Sequence, residues 1–123
     1  MILADTSVWI DHLRGTEAAL APLLESAQVL MHPCVLGEIA LGTLRARAAV
    51  LGGMAGLPKA VVATDAEVMG LIDRHALHGQ GIGWVDAHLL ASVLLTPGAR
   101  LWSADRRLAG AAGRIGVAWP DRD

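Results

Sequence analysis

Short apolar runs alternate with longer stretches of helical periodicity along this chain of 123 residues. Each run is too short for a helix and is bounded by polar or turn-forming residues, which is typical of buried strands. Such runs occupy residues 2–4, 28–32 and 100–103, with weaker candidates at 60–63 and 117–119. Because buried strands that alternate with helices pair in parallel, the pattern predicts an α/β fold with helices on both faces of a central parallel sheet.

Several helical stretches carry signals for where they begin. Asp5 is a good N-cap for a first helix, and Pro33 suits the first turn of a later one. Thr64, with Glu67 three residues further on, has the pattern of a capping box. The predicted helices span residues 8–13, 17–27, 33–45, 65–76, 84–95 and 106–112, with a helix or turn at 46–57. The helix at 84–95 is apolar on nearly every side, so we expect it to be buried.

Composition adds the expectation of a partner. Hydrophobic residues make up 54% of the chain, above the usual share of about 45–50%. The mean hydropathy is +0.47. This excess predicts apolar surface that a second copy or another chain covers. The net charge of −2 is not the basic balance typical of nucleic-acid binding, so contact with RNA or DNA requires local arginines or a bound cation.

Cysteine content and the N-terminal segment bear on location. The single cysteine, Cys34, excludes an intramolecular disulfide and a cysteine-rich zinc site. The N-terminal segment reaches Asp5 without a basic start, which does not fit a signal peptide. The apolar stretch at 89–95 is far shorter than the roughly 20 residues that span a bilayer. We therefore expect a cytoplasmic protein without membrane association, and the length predicts one domain over residues 1–123.

Four acidic residues stand out as candidates for chemistry. Asp5 and Asp105 follow predicted strands, and ligands of an open parallel sheet bind beyond the carboxyl ends of its strands. Glu38 and Asp86 lie inside otherwise apolar helix segments. A buried carboxylate without a partner is unfavourable, so each of the two either finds a donor or meets the other acids at a cation.

Each acid alone also has an ordinary role. Asp5 and Asp105 suit N-cap positions. Glu38 suits a solvated helix face, and Asp86 suits the first turn of a helix, where the helix dipole is positive. If the four converge, two carboxylates about 4 Å apart repel by roughly 4 kcal/mol at an effective dielectric near 20. A divalent cation with oxygen ligands removes that repulsion, and both Mg²⁺ and Mn²⁺ suit such a site. Such an ion activates water and stabilises the leaving oxygen of a phosphodiester.

The neighbours of these acids are candidates for supporting roles. Ser7 and Ser103 provide hydroxyls that can orient a carboxylate or a water molecule. Arg106 and Arg107 follow Asp105 directly, and they either contact phosphate or are simply solvated. The glycines at 79–83 fall short of a dinucleotide fingerprint, and the histidines show no zinc-protease motif. From the residues alone, a metal site therefore competes with ordinary structural roles.

The sequence resembles a known family. Four segments, in order, resemble PIN-domain ribonucleases, and more closely the VapC-type toxins of bacterial toxin–antitoxin pairs. The first is Ile2-Leu3-Ala4-Asp5-Thr6-Ser7-Val8-Trp9-Ile10, and the second is Glu38 in its early helix. The others are Trp84-Val85-Asp86-Ala87-His88-Leu89-Leu90-Ala91 and Leu101-Trp102-Ser103-Ala104-Asp105-Arg106-Arg107-Leu108. The order and spacing of the four segments extend over essentially the whole chain.

The resemblance implies a compact three-layer α/β/α fold and an endonuclease that cleaves single-stranded or loop RNA. It implies that Asp5, Glu38, Asp86 and Asp105 line one Mg²⁺ or Mn²⁺ site. It also implies a homodimer and a cognate antitoxin that covers apolar surface and inserts a basic side chain among the acids.

The chain departs from the family pattern at three positions. Ser103 stands where the family often has threonine, so a hydroxyl is retained. Arg107 stands where some members carry a further acid, which lowers the negative charge of the site and weakens the binding of a second metal ion, so that one bound ion fits as well as two. Leu108 replaces a common phenylalanine in the core.

Two alternatives differ in class. A receiver-type phosphoacceptor module shares the length, the doubly wound topology and an acidic Mg²⁺ pocket. It requires a lysine beyond a late strand, whereas the only lysine is Lys59, in the middle of the chain. A non-catalytic interaction module of the same PIN-like fold is the other alternative, and the presence of all four acids argues against it.

Overall fold

A small parallel sheet organises the computed structural model, which describes residues 1–120. Its strands are β1 (Ile2–Ala4), β2 (Val29–Leu30) and β3 (Arg100–Trp102), in the order β2-β1-β3. In the register, Ile2 lies opposite Val29 on one side and Arg100 on the other, and both pairings are parallel. Because β1 is central, the residue that follows it emerges in the middle of the carboxyl edge. The predicted α/β fold with a parallel sheet is confirmed.

Seven helices surround this sheet within the described residues. They are α1 (Thr6–Leu13), α2 (Leu20–Glu25), α3 (Pro33–Ala40), α4 (Arg47–Ala55), α5 (Asp65–Arg74), α6 (Trp84–Leu95) and α7 (Arg106–Ile115). Helix α1 contacts α2 and α3, and α3 contacts α4. Helix α5 packs on α6, while α6 and α7 both contact β3. The helices thus form two groups, α1–α4 and α5–α7. This is the arrangement expected for helices on both faces of a parallel sheet.

The two weaker strand predictions are wrong. Residues 60–63 form no strand, because the pairing with the segment after β2 is a single bridge between Met31 and Lys59. The chain then leaves the sheet: Val61 donates its N–H to the Thr96 hydroxyl at 2.9 Å. Residues 117–119 likewise contribute one bridge, from Ala118 to Leu101.

The helices lie where the sequence predicts them, but several begin or end at other residues. Helix α3 ends at Ala40 instead of near residue 45, and the next residue, Leu41, is 90% exposed. The segment predicted as a helix at 17–27 is helical only over Leu20–Glu25. Helix α7 is longer than predicted and ends at Ile115, and its C-cap Gly116 has a φ of 87°, the left-handed conformation that glycine adopts readily. The capping box of Thr64 and the helix at 84–95 are confirmed.

Helix α6 supplies much of the core, but it is not buried throughout as predicted. Its central residues, including Leu89 and Leu90, are buried with Leu3 and Leu101 of the sheet. Its ends are open, because Trp84 is 46% exposed and Leu95 is 39% exposed. Among residues 1–120, no helix combines the length and apolar character needed to cross a membrane.

Candidate active site

The carboxyl edge of the sheet is centred on Asp5. This residue follows β1, is only 5% exposed, and caps α1 by accepting the Val8 N–H at 3.1 Å. Its Oδ1 also accepts the Ser7 hydroxyl, and its Oδ2 accepts the Ser103 hydroxyl, both at 2.5 Å. Its own N–H donates to the Trp102 carbonyl at 2.9 Å, which ties the end of β1 to the end of β3. The carboxylate is therefore held in one orientation by both of its oxygens.

The electrostatics of Asp5 are those of a carboxylate that favours a cation. Burial raises the pKa of Asp5, and hydrogen bonds from Ser103, Ser7 and the Val8 N–H oppose that rise. The negative charge of Asp86 raises the pKa further, so the two carboxylates are close enough to repel. A positive ion between them would relieve both effects.

The two serines join the loop before α7 to the start of α1. The Ser103 oxygen accepts the Asp105 N–H at 2.9 Å, and the Ser7 oxygen accepts the Ala104 N–H at 3.1 Å. Each hydroxyl therefore donates to Asp5 while accepting from the backbone beyond β3. The supporting role of Ser7 and Ser103 in catalysis stays a prediction.

Asp105 and Asp86 are each engaged with the start of a helix. Asp105 is exposed and caps α7, with Oδ1 accepting the N–H groups of Arg107 at 2.8 Å and Leu108 at 3.2 Å. Asp86 lies in the first turn of α6 and accepts the Gly83 N–H at 3.0 Å through Oδ2. These are the ordinary roles that the sequence left open, and a cap or first-turn carboxylate still has a second oxygen for another partner.

Glu38 reaches the same edge from α3. It is exposed, and its Oε1 accepts the Thr6 hydroxyl at 2.8 Å. Because Thr6 is the residue after Asp5, this bond brings Glu38 to the start of α1, next to the residue that follows Asp5. The sequence analysis did not identify Thr6 as the partner of Glu38. The available signal was the position of Thr6 between Asp5 and Ser7, at the carboxyl edge of the sheet.

The structure therefore brings part of the predicted set into direct contact. Asp5, Ser7 and Ser103 are hydrogen bonded, whereas Glu38 and Asp105 are linked to them through Thr6 and Ser103. Within residues 1–120, no group of three or more histidine, cysteine, aspartate or glutamate side chains is arranged to hold a metal ion. Asp86 and Asp105 each accept backbone N–H groups at the start of a helix, a position that favours a negative charge.

The donor chemistry nevertheless fits a hard cation. The groups at this edge are carboxylate and hydroxyl oxygens, which Mg²⁺ and Mn²⁺ prefer. Cys34 and His32, whose softer donors would suit zinc, are not hydrogen bonded to these acids: the ring of His32 bonds Ser92 and the Cys34 N–H. The four-acid metal site stays a prediction.

The two arginines after Asp105 have different surroundings. The Arg107 side chain lies over the loop before α6, where its Cδ is 2.7 Å from the position that a Cβ on Gly81 would take. Only glycine allows this approach, and its φ of 77° also favours glycine. Arg106 lies beside Ser103 in a surface groove. Arg107 thus packs against the loop that leads to Asp86, a contact that the sequence did not reveal.

Comparison with known proteins identifies the class to which this fold and this edge belong. A model described as the PIN domain matches residues 2–114, so the chain belongs to the PIN-domain family. Two curated relatives, from two strains of Mycobacterium tuberculosis, are each 49% identical over 118 residues. The matches cover 96% of this chain and 95% of each relative, and both relatives are named Ribonuclease VapC32. The resemblance to VapC-type PIN ribonucleases is thereby confirmed.

Proposed function

We propose that this chain is a Mg²⁺- or Mn²⁺-dependent endoribonuclease that acts as the toxin of a toxin–antitoxin pair. The observation that carries the proposal is Asp5: a buried carboxylate at the carboxyl end of the central strand, held by two serines and facing the charge of Asp86. The ribonuclease name of its relatives supports the same activity. On this proposal the whole of residues 1–123 works as one PIN domain in the cytoplasm.

Asp5, Glu38, Asp86 and Asp105 would hold the ion, which supplies an activated water and stabilises the leaving oxygen of the phosphodiester when bound. Ser7 and Ser103 hold Asp5 in place by hydrogen bonds, so that no reorientation is needed when substrate arrives. Thr6 does the same for Glu38. Arg106, which lines the same groove as Ser103, would contact a phosphate of the RNA.

An antitoxin and a second copy complete the proposal. A groove of about 350 Å³ borders Glu38 and is lined by apolar side chains that include Ile10, Leu13 and Val50. A cognate antitoxin would cover this surface and place a basic side chain near the acids. Large apolar side chains also lie exposed at Val61, Val62, Met69 and Trp84, which supports homodimerisation.

The receiver alternative gains no support from the structure. The Lys59 ammonium donates to the Ala55 carbonyl at 3.0 Å, and among the described contacts it has no bond to any of the four acids. The non-catalytic alternative is favoured by one observation, the separation of the acids between their own hydrogen-bond partners. The decisive experiment must therefore measure cleavage itself.

The test compares Asp5→Asn with wild type, using purified protein, structured and single-stranded RNAs, and either Mg²⁺ or Mn²⁺. Asparagine keeps the N-cap of α1 but loses the charge, so the fold is retained. We expect cleavage to fall by more than about 100-fold, since even outer partners of metal ligands are worth about 10–100-fold. Mapping of new RNA ends after controlled expression gives the same comparison in cells.

Asp73→Asn is the matched control, because Asp73 is an exposed acid on α5 and the chemical change is the same. It should cleave as wild type does. Full activity of Asp5→Asn would remove the proposed role of Asp5, and wild type inactive with both metals on every RNA would favour the non-catalytic alternative.

A further inference from the structure

A second groove, of about 580 Å³, lies between the end of β3 and one face of α7. Its lining includes Trp102 and Trp119, which together are called the aromatic wall, and the helix positions Gly110 and Gly113. Ser103 and Arg106 line the end of the groove that is nearest Asp5. The groove is therefore continuous with the candidate active site, but none of the roles proposed above uses its aromatic wall.

The two tryptophans form a broad, half-buried aromatic surface. Their ring centroids are 4.6 Å apart and their planes are inclined at 54°. Both side chains are half-buried, so part of each ring remains open to solvent. An aromatic surface of this kind stacks with nucleobases irrespective of their identity, because every base has a π-face.

The glycines keep this groove open at the expense of helix stability. A glycine inside a helix is less favourable than alanine by about 1 kcal/mol. A Cβ at Gly113 would meet nothing within 4 Å, so close packing does not require glycine there. A side chain at this position would instead extend into the groove, which is the space that the aromatic wall faces.

The charge of Arg106 and the position of Ser103 indicate what the groove binds. Arg106 is a lining residue of the groove, and its guanidinium is chemically complementary to a phosphate. Ser103 connects the groove to the Asp5 carboxylate through a 2.5 Å hydrogen bond. We propose that the groove binds one unpaired nucleotide next to the cleaved phosphodiester, with its base against Trp102 and Trp119 and a phosphate on Arg106. This inference rests on the proposed ribonuclease function and adds a subsite to it.

The first test is Gly113→Leu, which fills the groove while favouring the helix. Binding is measured in EDTA, by fluorescence anisotropy with fluorescein-labelled oligo(A), oligo(C), oligo(G) and oligo(U), so that cleavage does not interfere. Since stacking on an aromatic side chain contributes a measurable share of affinity, we expect dissociation constants to rise about tenfold. Gly53→Leu is the matched control, because Gly53 is an exposed glycine of α4 whose Cβ would also meet nothing within 4 Å.

A second pair of variants tests the aromatic wall of the groove. Trp119→Phe keeps an aromatic face and should bind RNA nearly as wild type does, whereas Trp119→Leu should weaken binding about as much as Gly113→Leu. The backbone hydrogen bond from the Trp119 N–H to the Leu101 carbonyl is unaffected by either change. Equal affinities of the two variants would contradict a stacking role.

An abasic scan locates the nucleotide. Oligonucleotides that lack one base at each position in turn are bound to wild type and to Gly113→Leu. At the position that occupies the groove, base removal should weaken wild type about tenfold and leave Gly113→Leu unchanged. Equal losses in both proteins at every position would overturn the proposal.

The outcomes separate this inference from the proposed function. If wild type cleaves RNA and Gly113→Leu binds and cleaves equally well, the groove proposal fails and the ribonuclease stands. If binding depends on the groove but neither metal supports cleavage, the groove is an RNA-binding site only, and both the ribonuclease function and the position beside a cleaved phosphodiester fail. Unchanged RNA affinity with a changed oligomeric mass of Gly113→Leu would assign the groove to contacts between copies, and would also overturn the proposal.

Discussion

The neighbouring strands β1 and β2 end at the same edge of the sheet, and each leads into a helix through a buried polar cap. Asp5 caps α1 after β1, and His32 caps α3 after β2 and Met31. Their exposures are 5% and 1%. Position in the fold and burial are thus almost the same, and the difference lies in what surrounds each side chain.

His32 has a complete set of partners. Its Nδ1 accepts the Cys34 N–H at 3.0 Å, so the ring proton is on Nε2, which lies 3.1 Å from the Ser92 hydroxyl. Burial lowers the pKa of His32, with a smaller contribution from His88, and the neutral ring is satisfied. Asp5 instead faces the negative charge of Asp86. A buried cap that is neutral and hydrogen bonded on both ring nitrogens stabilises the fold, whereas a buried carboxylate that a second acid repels is suited to bind a cation.

The largest effect that this comparison predicts is on stability at His32. His32→Ala removes the cap of α3, leaves the buried Ser92 hydroxyl without its partner and opens a cavity. A cap is worth about 1 kcal/mol and an unsatisfied buried group about 1–3 kcal/mol, so we expect a loss of about 3 kcal/mol. Urea denaturation with EDTA present measures it.

The exposed His78 provides the control, since His78→Ala should change the free energy of unfolding by less than about 0.5 kcal/mol. Cleavage by the folded fraction of His32→Ala should remain within a few-fold of wild type. A stable His32→Ala protein that has lost cleavage would place His32 in the site and remove the contrast with Asp5.

The same contrast shows what the sequence could predict. Strong local signals located the elements well: the cap at Asp5, the capping box of Thr64 and the apolar helix at 84–95 were all evident. The run at 60–63 is apolar but forms no strand. Two of its residues, Val61 and Val62, lie at the surface, with exposures of 47% and 53%. Periodicity cannot distinguish an apolar run that enters the sheet from one that lies on the surface.

A smaller effect is expected on the Asp5 side, at Ser103. Ser103→Ala removes the bond to Asp5 Oδ2 and the acceptor for the Asp105 N–H. We expect about tenfold weaker cleavage and a higher metal concentration for half-maximal activity, as for other groups that orient metal ligands. Ser103→Thr keeps the hydroxyl and should restore both values.

Ser26→Ala is the matched control for this change, because the Ser26 hydroxyl bonds only backbone carbonyls at the end of α2 in the described contacts. If Ser103→Ala lowers activity without moving the metal dependence, the serine contributes to RNA contact or stability instead of orienting Asp5.

The site was less predictable than the fold for a physical reason. Sequence order placed Asp5 and Asp105 at strand ends, but the bonds from Ser7 and Ser103 to Asp5 depend on the pairing of β1 with β3. The contact of Arg107 with Gly81 likewise joins two loops distant in the chain. Convergence of the acids is harder still, since like charges separate unless a cation offsets their repulsion.

The smallest effects are opposite dependences of stability on pH. Burial lowers the pKa of His32 below its ordinary 6.5, so just below pH 6.5 the unfolded chain binds more protons and stability falls as the pH is lowered. Burial raises the pKa of Asp5 above its ordinary 3.8, so above that pH the folded chain holds the extra proton and stability falls as the pH rises. The two caps therefore contribute slopes of opposite sign.

Asparagine at either position keeps a cap and removes the titration. Relative to wild type in EDTA, Asp5→Asn should become more stable as the pH rises above 3.8, because only wild type must ionise a buried carboxyl. His32→Asn should lose less stability than wild type as the pH falls below 6.5. Urea denaturation across this range measures both differences. If Asp5→Asn shows no pH-dependent gain, the carboxylate is already compensated in the metal-free protein, and the distinction between the two caps is not electrostatic.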